Sequence, residues 1–458
     1  MSPAHRPAPA APARPLWLTF LAFLGPMVLA NILQSLSGSV NAVYIGQMLG
    51  TQALAAVAGM FPIVFFFIAL IIGVGAGASV LIGQAWGARE PAKVKAIAGT
   101  ALGLGGLIGI AAAVLGELFA KQVLQALGTP AEVLPDAVAY ARVMMLTMPL
   151  LLVFILYTQL LRGVGDTLTP LYALMLSTGI GLVLTPALIR GWGGLPQLGV
   201  VSAAVAGLVS FAVALTFLVI YLQRKRHPLA PDAALRRALW IDPALLKGVL
   251  RIGVPTGVQM VTISLAELAI LGLVNRYGAD ATAAYGAVNQ IVNYVQFPAL
   301  SIAITASILG AQFIGAGRAD RLGALVKTGL LLNVLLTGAL IVAGYLLSPW
   351  LLGFFLTSEP VRQMAEHLLH LMLWGSLVFG FQAVIAGVMR ASGTVLIPVA
   401  ISVGSILLVQ LPAANFLSAR YGLDGVWLAY PVVFVTMLLL QSAFYRLVWR
   451  HKTIERLV

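Results

Sequence analysis

The sequence contains no cysteine, and only 9% of its 458 residues are charged. Disulfide bonds and cysteine-ligated metal sites are therefore excluded. No nucleophile triad, phosphate-binding loop or metal-ligand cluster is recognisable among the polar residues. The glycine-rich stretch Gly73–Gly77 lies inside an apolar run and follows no strand, so it lacks the context of a dinucleotide-binding loop. We therefore expect neither an enzyme nor a bound metal or cofactor.

Apolar residues are abundant. They make up 60% of the chain, and the mean hydropathy is +1.00. A soluble domain cannot bury so much apolar surface, which predicts an integral membrane protein. A membrane-spanning helix needs about 20 apolar residues. Runs of this length predict an all-α protein with 12 transmembrane helices, at 16–46, 54–84, 95–118, 136–160, 169–189, 199–223, 248–277, 283–312, 322–346, 362–388, 396–418 and 424–447.

The net charge of +13 has a topological explanation. An even number of helices places both termini on one side of the membrane. Of the 27 Lys and Arg residues, 21 fall on that side, and six fall on the other: Lys121, Arg142, Arg190, Arg276, Arg362 and Arg420. The positive-inside rule then predicts a multi-pass membrane protein with both termini in the cytoplasm. Contact with anionic headgroups accounts for the basic loops better than nucleic-acid binding does.

An internal repeat relates the two halves of the chain. Identical residues recur 228 positions apart, among them the pairs Gly50 and Gly278, Gln84 and Gln312, Gly87 and Gly315, Arg162 and Arg390, and Pro170 and Pro398. Each half holds six helices, so we expect two lobes related by an axis along the membrane normal, a transporter architecture. The predicted domains are a disordered cytoplasmic tail (1–15), an N-lobe (16–223), a cytoplasmic linker (224–247), a C-lobe (248–447) and a cytoplasmic tail (448–458).

Several of the repeated stretches resemble one transporter family. The 6+6 plan, GQAWGA (Gly83–Ala88) with AQFIGA (Ala311–Ala316), and LRGVGDTLTP (Leu161–Pro170) with MRASGTVLIP (Met389–Pro398) are similar to multidrug and toxic compound extrusion (MATE) transporters. The resemblance covers about residues 16–447. It implies export of small, amphipathic and often cationic organic compounds, coupled to H⁺ or Na⁺, by alternating access. We expect the protein to act as a monomer in the lipid bilayer.

One acidic residue stands out by its depth. Glu267 lies 11 residues before the turn at Gly278, roughly 16 Å along a helix. Acids inside membranes are costly and mostly functional. We therefore predict that Glu267 binds the coupling cation, either a proton or Na⁺. The alternative is a structural hydrogen bond between packed helices. The resemblance adds that some MATE branches use acids on helix 7.

Amides form polar stripes that cannot face lipid without unmet hydrogen bonds. We predict that they line a substrate cavity; hydrogen bonding between helices is the alternative. The predicted lining residues are Asn31, Gln34 and Asn41 on helix 1, Gln259 and Thr262 on helix 7, and Asn289, Gln290, Asn293 and Gln296 on helix 8.

Asn41 departs from the family that the sequence resembles. Several bacterial MATE proteins have a helix 1 motif similar to VDxxxxG, whose aspartate is tied to proton binding. Here the stretch reads VNAVYIG, and an amide has no titratable proton. The departure moves the predicted coupling site to Glu267 in the other lobe.

Further predictions concern movement. Pro26 and Pro255 are predicted bend points of helices 1 and 7, with static kinks as the alternative. Arg162, Asp166 and Arg390 are predicted to form an inner gate, with Arg162 paired to Asp166; a plain surface ion pair is the alternative.

The sequence thus predicts a secondary antiporter. A lipid-linked precursor flippase of related architecture is the closest alternative, but it should hold several cationic residues in its central cavity. A membrane enzyme and a channel are further alternatives. One deep glutamate does not make a catalytic constellation, and the repeat favours alternation within one chain.

Overall fold

The computed structural model describes residues 15–458, so residues 1–14 of the predicted disordered tail lie outside the described part of the chain. Within residues 15–458, twelve helices are long and apolar enough to cross a membrane, which confirms the predicted all-α architecture. They are α1 (Leu16–Leu49), α2 (Thr51–Gly87), α3 (Pro91–Ala126), α4 (Leu134–Gly163), α5 (Leu168–Arg190), α6 (Gly199–Arg224), α7 (Pro243–Tyr277), α8 (Ala279–Gly315), α9 (Ala319–Gly353), α10 (Glu359–Ala391), α11 (Leu396–Tyr421) and α12 (Leu423–His451).

Several helices extend beyond their apolar runs, and α3 shows why. It begins at Pro91 and ends at Ala126, whereas the predicted run covers 95–118. Lys93 and Lys121 lie within the helix but outside that run, because Lys is a good helix former. Hydropathy therefore locates the part of a helix suited to lipid, and the polar ends continue as helix beyond it.

Both ends of the described chain lie at one end of the helix bundle, because the number of crossings is even. We call this end the terminal face and the opposite end the distal face. The linker from α6 to α7 also lies at the terminal face and contains a short helix, Ala233–Ala238. Asp232 caps this linker helix by accepting a hydrogen bond from the Leu235 N–H at 2.9 Å, and it pairs with Lys95 of α3. The linker is thereby fixed to the N-lobe.

The two halves, α1–α6 and α7–α12, repeat one backbone plan. Gly50 joins α1 to α2 with φ 92° and ψ 177°, and Gly278 joins α7 to α8 with φ 99° and ψ 175°. This region of φ/ψ space is essentially restricted to glycine, which explains its presence at both distal turns. The plan is not copied throughout, because α11 has a π-helical turn at Ile406–Gln410 and α5 is a continuous α-helix.

The lobes pack closely where α2 crosses α7. A Cβ added to Gly73 would overlap the backbone of Gly253, and one added to Gly77 would overlap the Val249 carbonyl. The glycine-rich stretch Gly73–Gly77 thus allows close helix contact, as small residues do in membrane proteins.

Candidate functional site

A cavity of about 470 Å³ lies inside the N-lobe. Two predicted lining residues of α1, Gln34 and Asn41, are in its wall. The Asn41 Oδ1 is buried and has no hydrogen-bond partner within residues 15–458. No residue in the described wall carries a formal charge, and its polar part is completed by hydroxyl groups that the sequence patterns did not single out: Ser37, Tyr140, Thr147, Ser177, Thr178, Thr185 and Ser210. This cavity is therefore polar but neutral.

A second cavity, of about 190 Å³, lies between the lobes. Its wall includes Gln259 of α7, a predicted lining residue, and Arg390 of α10, a predicted gate residue. Amides and hydroxyls from both lobes were missed by the sequence patterns: Ser79, Gln159, Ser307 and Gln382. Arg390 brings the one formal charge in the described wall of this inter-lobe cavity.

Glu267 lies apart from both cavities, on the C-lobe side. Its side chain is exposed, and it forms no hydrogen bond or ion pair within residues 15–458. Tyr285 of α8 and Tyr430 of α12 form a buried pair in the same lobe. The two hydroxyls are 3.2 Å apart, and Asn289, one turn after Tyr285 on α8, is half-buried. The interhelical hydrogen bond that was the alternative for Glu267 is therefore not formed in the described chain.

Two predicted cavity residues instead connect the lobes. Asn31 Nδ2 donates to Ser301 Oγ at 3.2 Å, and Gln290 Nε2 donates to Ser35 Oγ at 3.2 Å. Both hydrogen bonds run between α1 and α8, so part of each polar stripe faces the opposite lobe and not the N-lobe cavity. For these residues the structure shows the alternative, hydrogen bonding between helices.

The remaining predicted residues of the cavity and the bend points make no hydrogen bond between the lobes in the described chain. Thr262 Oγ1 donates to the Val258 carbonyl of its own helix at 2.9 Å. Asn293 is exposed and Gln296 is half-buried, and neither is in the described walls of the two cavities. Pro26 and Pro255 lie inside helices that continue across them.

The predicted ion pair between Arg162 and Asp166 is wrong. Asp166 accepts hydrogen bonds from the Thr169 N–H at 3.0 Å and the Thr169 hydroxyl, and its Oδ2 lies 3.6 Å from His227 Nε2. Thr169 lies in the first turn of α5, so the carboxylate accepts from the start of that helix and also faces the linker. Arg162 and Asp166 are four residues apart in sequence, but the turn between α4 and α5 does not bring their side chains together.

At the terminal face, reciprocal hydrogen bonds connect the lobes. Gln84 Nε2 donates to the Ala391 carbonyl at 2.8 Å, and Gln312 Nε2 donates to the Gly163 carbonyl at 3.1 Å. The two donors are 228 residues apart, and so are the two acceptors, so the pseudo-twofold axis relates both bonds. We call these four residues the glutamine clasp.

Glycines next to the clasp bring α2 and α8 together. A Cβ on Gly87 would overlap the Gln312 carbonyl, and a Cβ on Gly315 would overlap the Gln84 carbonyl. Any larger side chain would push the helices apart. The repeated Gln-x-x-Gly pattern thus joins the lobes at the terminal face, which the sequence had assigned to Arg162, Asp166 and Arg390.

The C-terminal segment Lys452–Val458 makes the clasp unequal. The Leu457 N–H donates to Gln84 Oε1 at 2.7 Å, and Arg456 Nη2 lies 2.6 Å from Glu90 Oε1. The Leu457 side chain packs against Gly393 of the C-lobe. In the described chain Gln312 Oε1 has no such partner. The segment therefore adds a contact to one side of the clasp only.

Comparison with known proteins agrees with this two-lobed geometry. The model of the MatE family matches the chain twice, over residues 26–187 and 255–415. One match falls in each lobe. The chain belongs to the MatE family. The family is one of transporters, and several of its members are named multidrug resistance or multidrug export proteins.

Individual MatE relatives are similar over nearly the whole chain. The "Probable multidrug resistance protein YoeA" of Bacillus subtilis is 42% identical over 97% of this chain and 96% of its own length. A protein named "FAD transporter" from Shewanella oneidensis is 28% identical over 92% of each chain. The crystal structure of a point mutant of the MATE transporter VcmN from Vibrio cholerae, at 19% identity, shares the fold with a TM-score of 0.87 over 96% of this chain and 98% of that one.

Proposed function

We propose that this MatE protein is a secondary active antiporter that exports amphipathic organic compounds, lipophilic cations among them, in exchange for H⁺ or Na⁺. The observation that carries the proposal is the joining of two pseudo-symmetric lobes by one clasp at the terminal face, with polar cavities inside and between them. If the clasp opened while the distal ends of the two lobes came together, access to these cavities would change from one side of the membrane to the other.

The two lobes divide the work in this proposal. The neutral N-lobe cavity combines hydroxyls and the Asn41 amide with apolar and aromatic side chains such as Phe154 and Phe211, a lining suited to amphipathic molecules. Glu267 supplies the acid that takes a proton or Na⁺, because a carboxylate does both and an amide cannot be protonated. A cationic substrate drawn to the same carboxylate would displace the coupling ion.

The same reasoning gives the orientation. The terminal face carries most of the Lys and Arg residues, so we assign it to the cytoplasm of a bacterial cell, with the protein in the cytoplasmic membrane. The clasp then closes the cytoplasmic side, and substrates enter when it opens. One chain contains both lobes, so the transport unit in this proposal is a monomer.

Reconstitution tests the proposal directly. Purified full-length protein is reconstituted in liposomes, and the liposomes are loaded with an ethidium-type cationic dye. Dye movement across the membrane is then followed under an imposed pH gradient and, separately, under a Na⁺ gradient. We expect one of the gradients to drive export and its collapse by an ionophore to stop it. Protein-free liposomes report leakage. Dye movement that responds to neither gradient would overturn the antiport mechanism.

A further inference from the structure

A groove of about 860 Å³ opens on the outer surface of the N-lobe, separate from both cavities described above. It runs between α3, α4 and the linker. Its walls are mainly apolar side chains: Leu102, Leu107, Ile110, Val153, Leu239 and Trp240. Leu107 and Ile110 are more than half exposed, so the groove faces the bilayer and not the protein core.

Two glycines of α3 shape the floor of the groove. Gly103 lies directly under the Leu239 carbonyl, which seats the linker on the helix. A Cβ on Gly106 would meet no atom within 4 Å, so this position leaves open space. From Leu102 to Ile110 the groove follows α3 for eight residues, roughly 12 Å. An apolar channel thus leads from the linker toward the interior of the bilayer.

The linker end of the groove carries a positive charge. Arg236 is in the wall, is exposed, and has no carboxylate partner within residues 15–458. Asp232, the acid of the linker helix, is already paired with Lys95. Trp240, in the same groove wall as Arg236, is 88% exposed, as is typical of aromatic side chains placed at headgroup level.

We propose that this groove binds an anionic phospholipid of the adjacent leaflet. The phosphate lies at Arg236, and one acyl chain follows the channel over Gly106 past Leu107 and Ile110. Charge complementarity selects the headgroup, because each basic residue at an anionic membrane surface contributes attraction. The apolar length of the groove selects a lipid over a soluble anion. The proposal stands independently of the transport mechanism.

The test compares two neighbouring arginines in full-length protein. Purified protein in detergent receives phosphatidylglycerol and phosphatidylcholine with identical chains in equal amounts, and native mass spectrometry gives the ratio retained. We expect Arg236→Gln to lower that ratio about fivefold, the effect of one basic residue at the surface. Arg237→Gln removes the same charge one residue away, outside the described groove wall, and should leave the ratio near the wild-type value.

Two more arms identify the occupant. Gly106→Leu fills the channel and should reduce retention of phosphatidylglycerol without removing Arg236. Soluble glycerol phosphate should fail to displace the bound lipid. The proposal is overturned by equal retention of both lipids in wild-type protein, by equal losses in the two arginine variants, by full retention in Gly106→Leu, or by displacement with glycerol phosphate, which would indicate a headgroup-only site.

Discussion

The N-lobe and the C-lobe have the same helix plan but different chemistry. The N-lobe encloses a cavity whose described wall is neutral, and the buried Asn41 amide oxygen has no hydrogen-bond partner within residues 15–458. The C-lobe has the exposed carboxylate of Glu267 and a buried pair of phenols, Tyr285 and Tyr430. Its α11 also has a π-helical turn, and Ile406 of that turn packs in one apolar cluster with Ala266, the neighbour of Glu267. Duplication of a fold therefore did not duplicate its ionisable site.

The largest expected effect comes from removing the acid of the C-lobe. In the reconstituted dye assay, Glu267→Gln should reduce gradient-driven export at least about tenfold, because an amide cannot be protonated. Binding of the dye should be partly retained, since the N-lobe cavity is unchanged. Glu366→Gln is the matched control, because Glu366 accepts a hydrogen bond from Ser348 at 2.8 Å and is not assigned to coupling. Normal export by Glu267→Gln would move the coupling site elsewhere.

The reciprocal change gives the N-lobe an acid. Asn41→Asp places a carboxylate in a cavity whose described wall has no formal charge. We expect the pH dependence of export to change without loss of export, because a second titratable group is added while Glu267 is kept. An export profile identical to wild type across pH 5–9 would show that the N-lobe cavity does not contribute to coupling.

These two lobes were largely predictable at the level of helices. Long apolar runs predicted the crossings, and the recurrence of Gly50 as Gly278 predicted the repeat. Side-chain directions were not predictable, because they depend on how each helix is rotated against its neighbours. Asn31 belongs to the same stripe as Asn41 by sequence, yet it bonds to Ser301 across the lobe boundary.

The clasp illustrates a signal that was present in the sequence and not interpreted. Gln84 and Gly87 recur as Gln312 and Gly315, and this pattern indicated the repeat without indicating a contact. Helix segments of the two lobes contact each other only where they lie near the pseudo-twofold axis, and the sequence does not show which segments do. The sequence predicted charged gate residues such as Arg162, whereas the contact consists of glutamine amides bonded to backbone carbonyls.

The next largest effect should come from the glycines at the clasp. Gly87→Ala and Gly315→Ala each place a Cβ against a carbonyl of the opposite lobe, and such overpacking costs about 1–3 kcal/mol. We expect both variants to lose closure at the terminal face to a similar extent. Gly338→Ala is the control, because a Cβ there meets nothing within 4 Å.

The absence of cysteine provides a clean measurement of this closure. Arg89→Cys and Arg318→Cys introduce one exposed label on each lobe near the clasp, and the distance between two spin labels reports whether the lobes are apart. The distance distribution should shift to longer values in both glycine variants and remain unchanged in Gly338→Ala. An unchanged distance distribution in Gly87→Ala and Gly315→Ala would contradict the role of the close α2–α8 contact in closing the terminal face.

A smaller effect should distinguish the two glutamines. Gln84 has two cross-contacts, to Ala391 and to Leu457, whereas Gln312 has one, to Gly163. With the same spin labels, Gln84→Ala should therefore populate the open terminal face more than Gln312→Ala does. One additional hydrogen bond is worth about 1 kcal/mol, a roughly fivefold difference in population.

Removal of residues 452–458 provides the control for that asymmetry. The truncated chain lacks the Leu457 bond, so Gln84→Ala and Gln312→Ala should then have nearly equal effects. This is a double-mutant comparison, in which the difference between backgrounds isolates the contribution of the segment. A persistent difference in the truncated protein would show that the inequality has another source.

The smallest expected effect concerns the turns that follow α4 and α10. In the N-lobe, Asp166 faces His227 of the linker, whereas its counterpart Thr394 accepts a hydrogen bond from Ser392 at 3.1 Å. Only the N-lobe turn is therefore expected to respond to pH. Burial lowers the pKa of His227 below its ordinary value of 6.5; nearby Asp166 opposes this shift, and Lys225 adds to it.

The sign of the pH effect follows from that lowered pKa. The neutral His227 ring accepts a hydrogen bond from the Leu229 N–H at 3.1 Å, which a doubly protonated ring cannot do. Because the detached linker binds the proton more readily, the attachment is fully stable above about pH 6.5 and weakens as the pH falls through the folded-state pKa of His227. Hydrogen exchange of residues 225–232, corrected for intrinsic rates, should thus increase on acidification. His227→Asn should flatten this dependence, whereas the exposed His451→Asn should preserve it, and greater protection at acid pH would reverse the assignment.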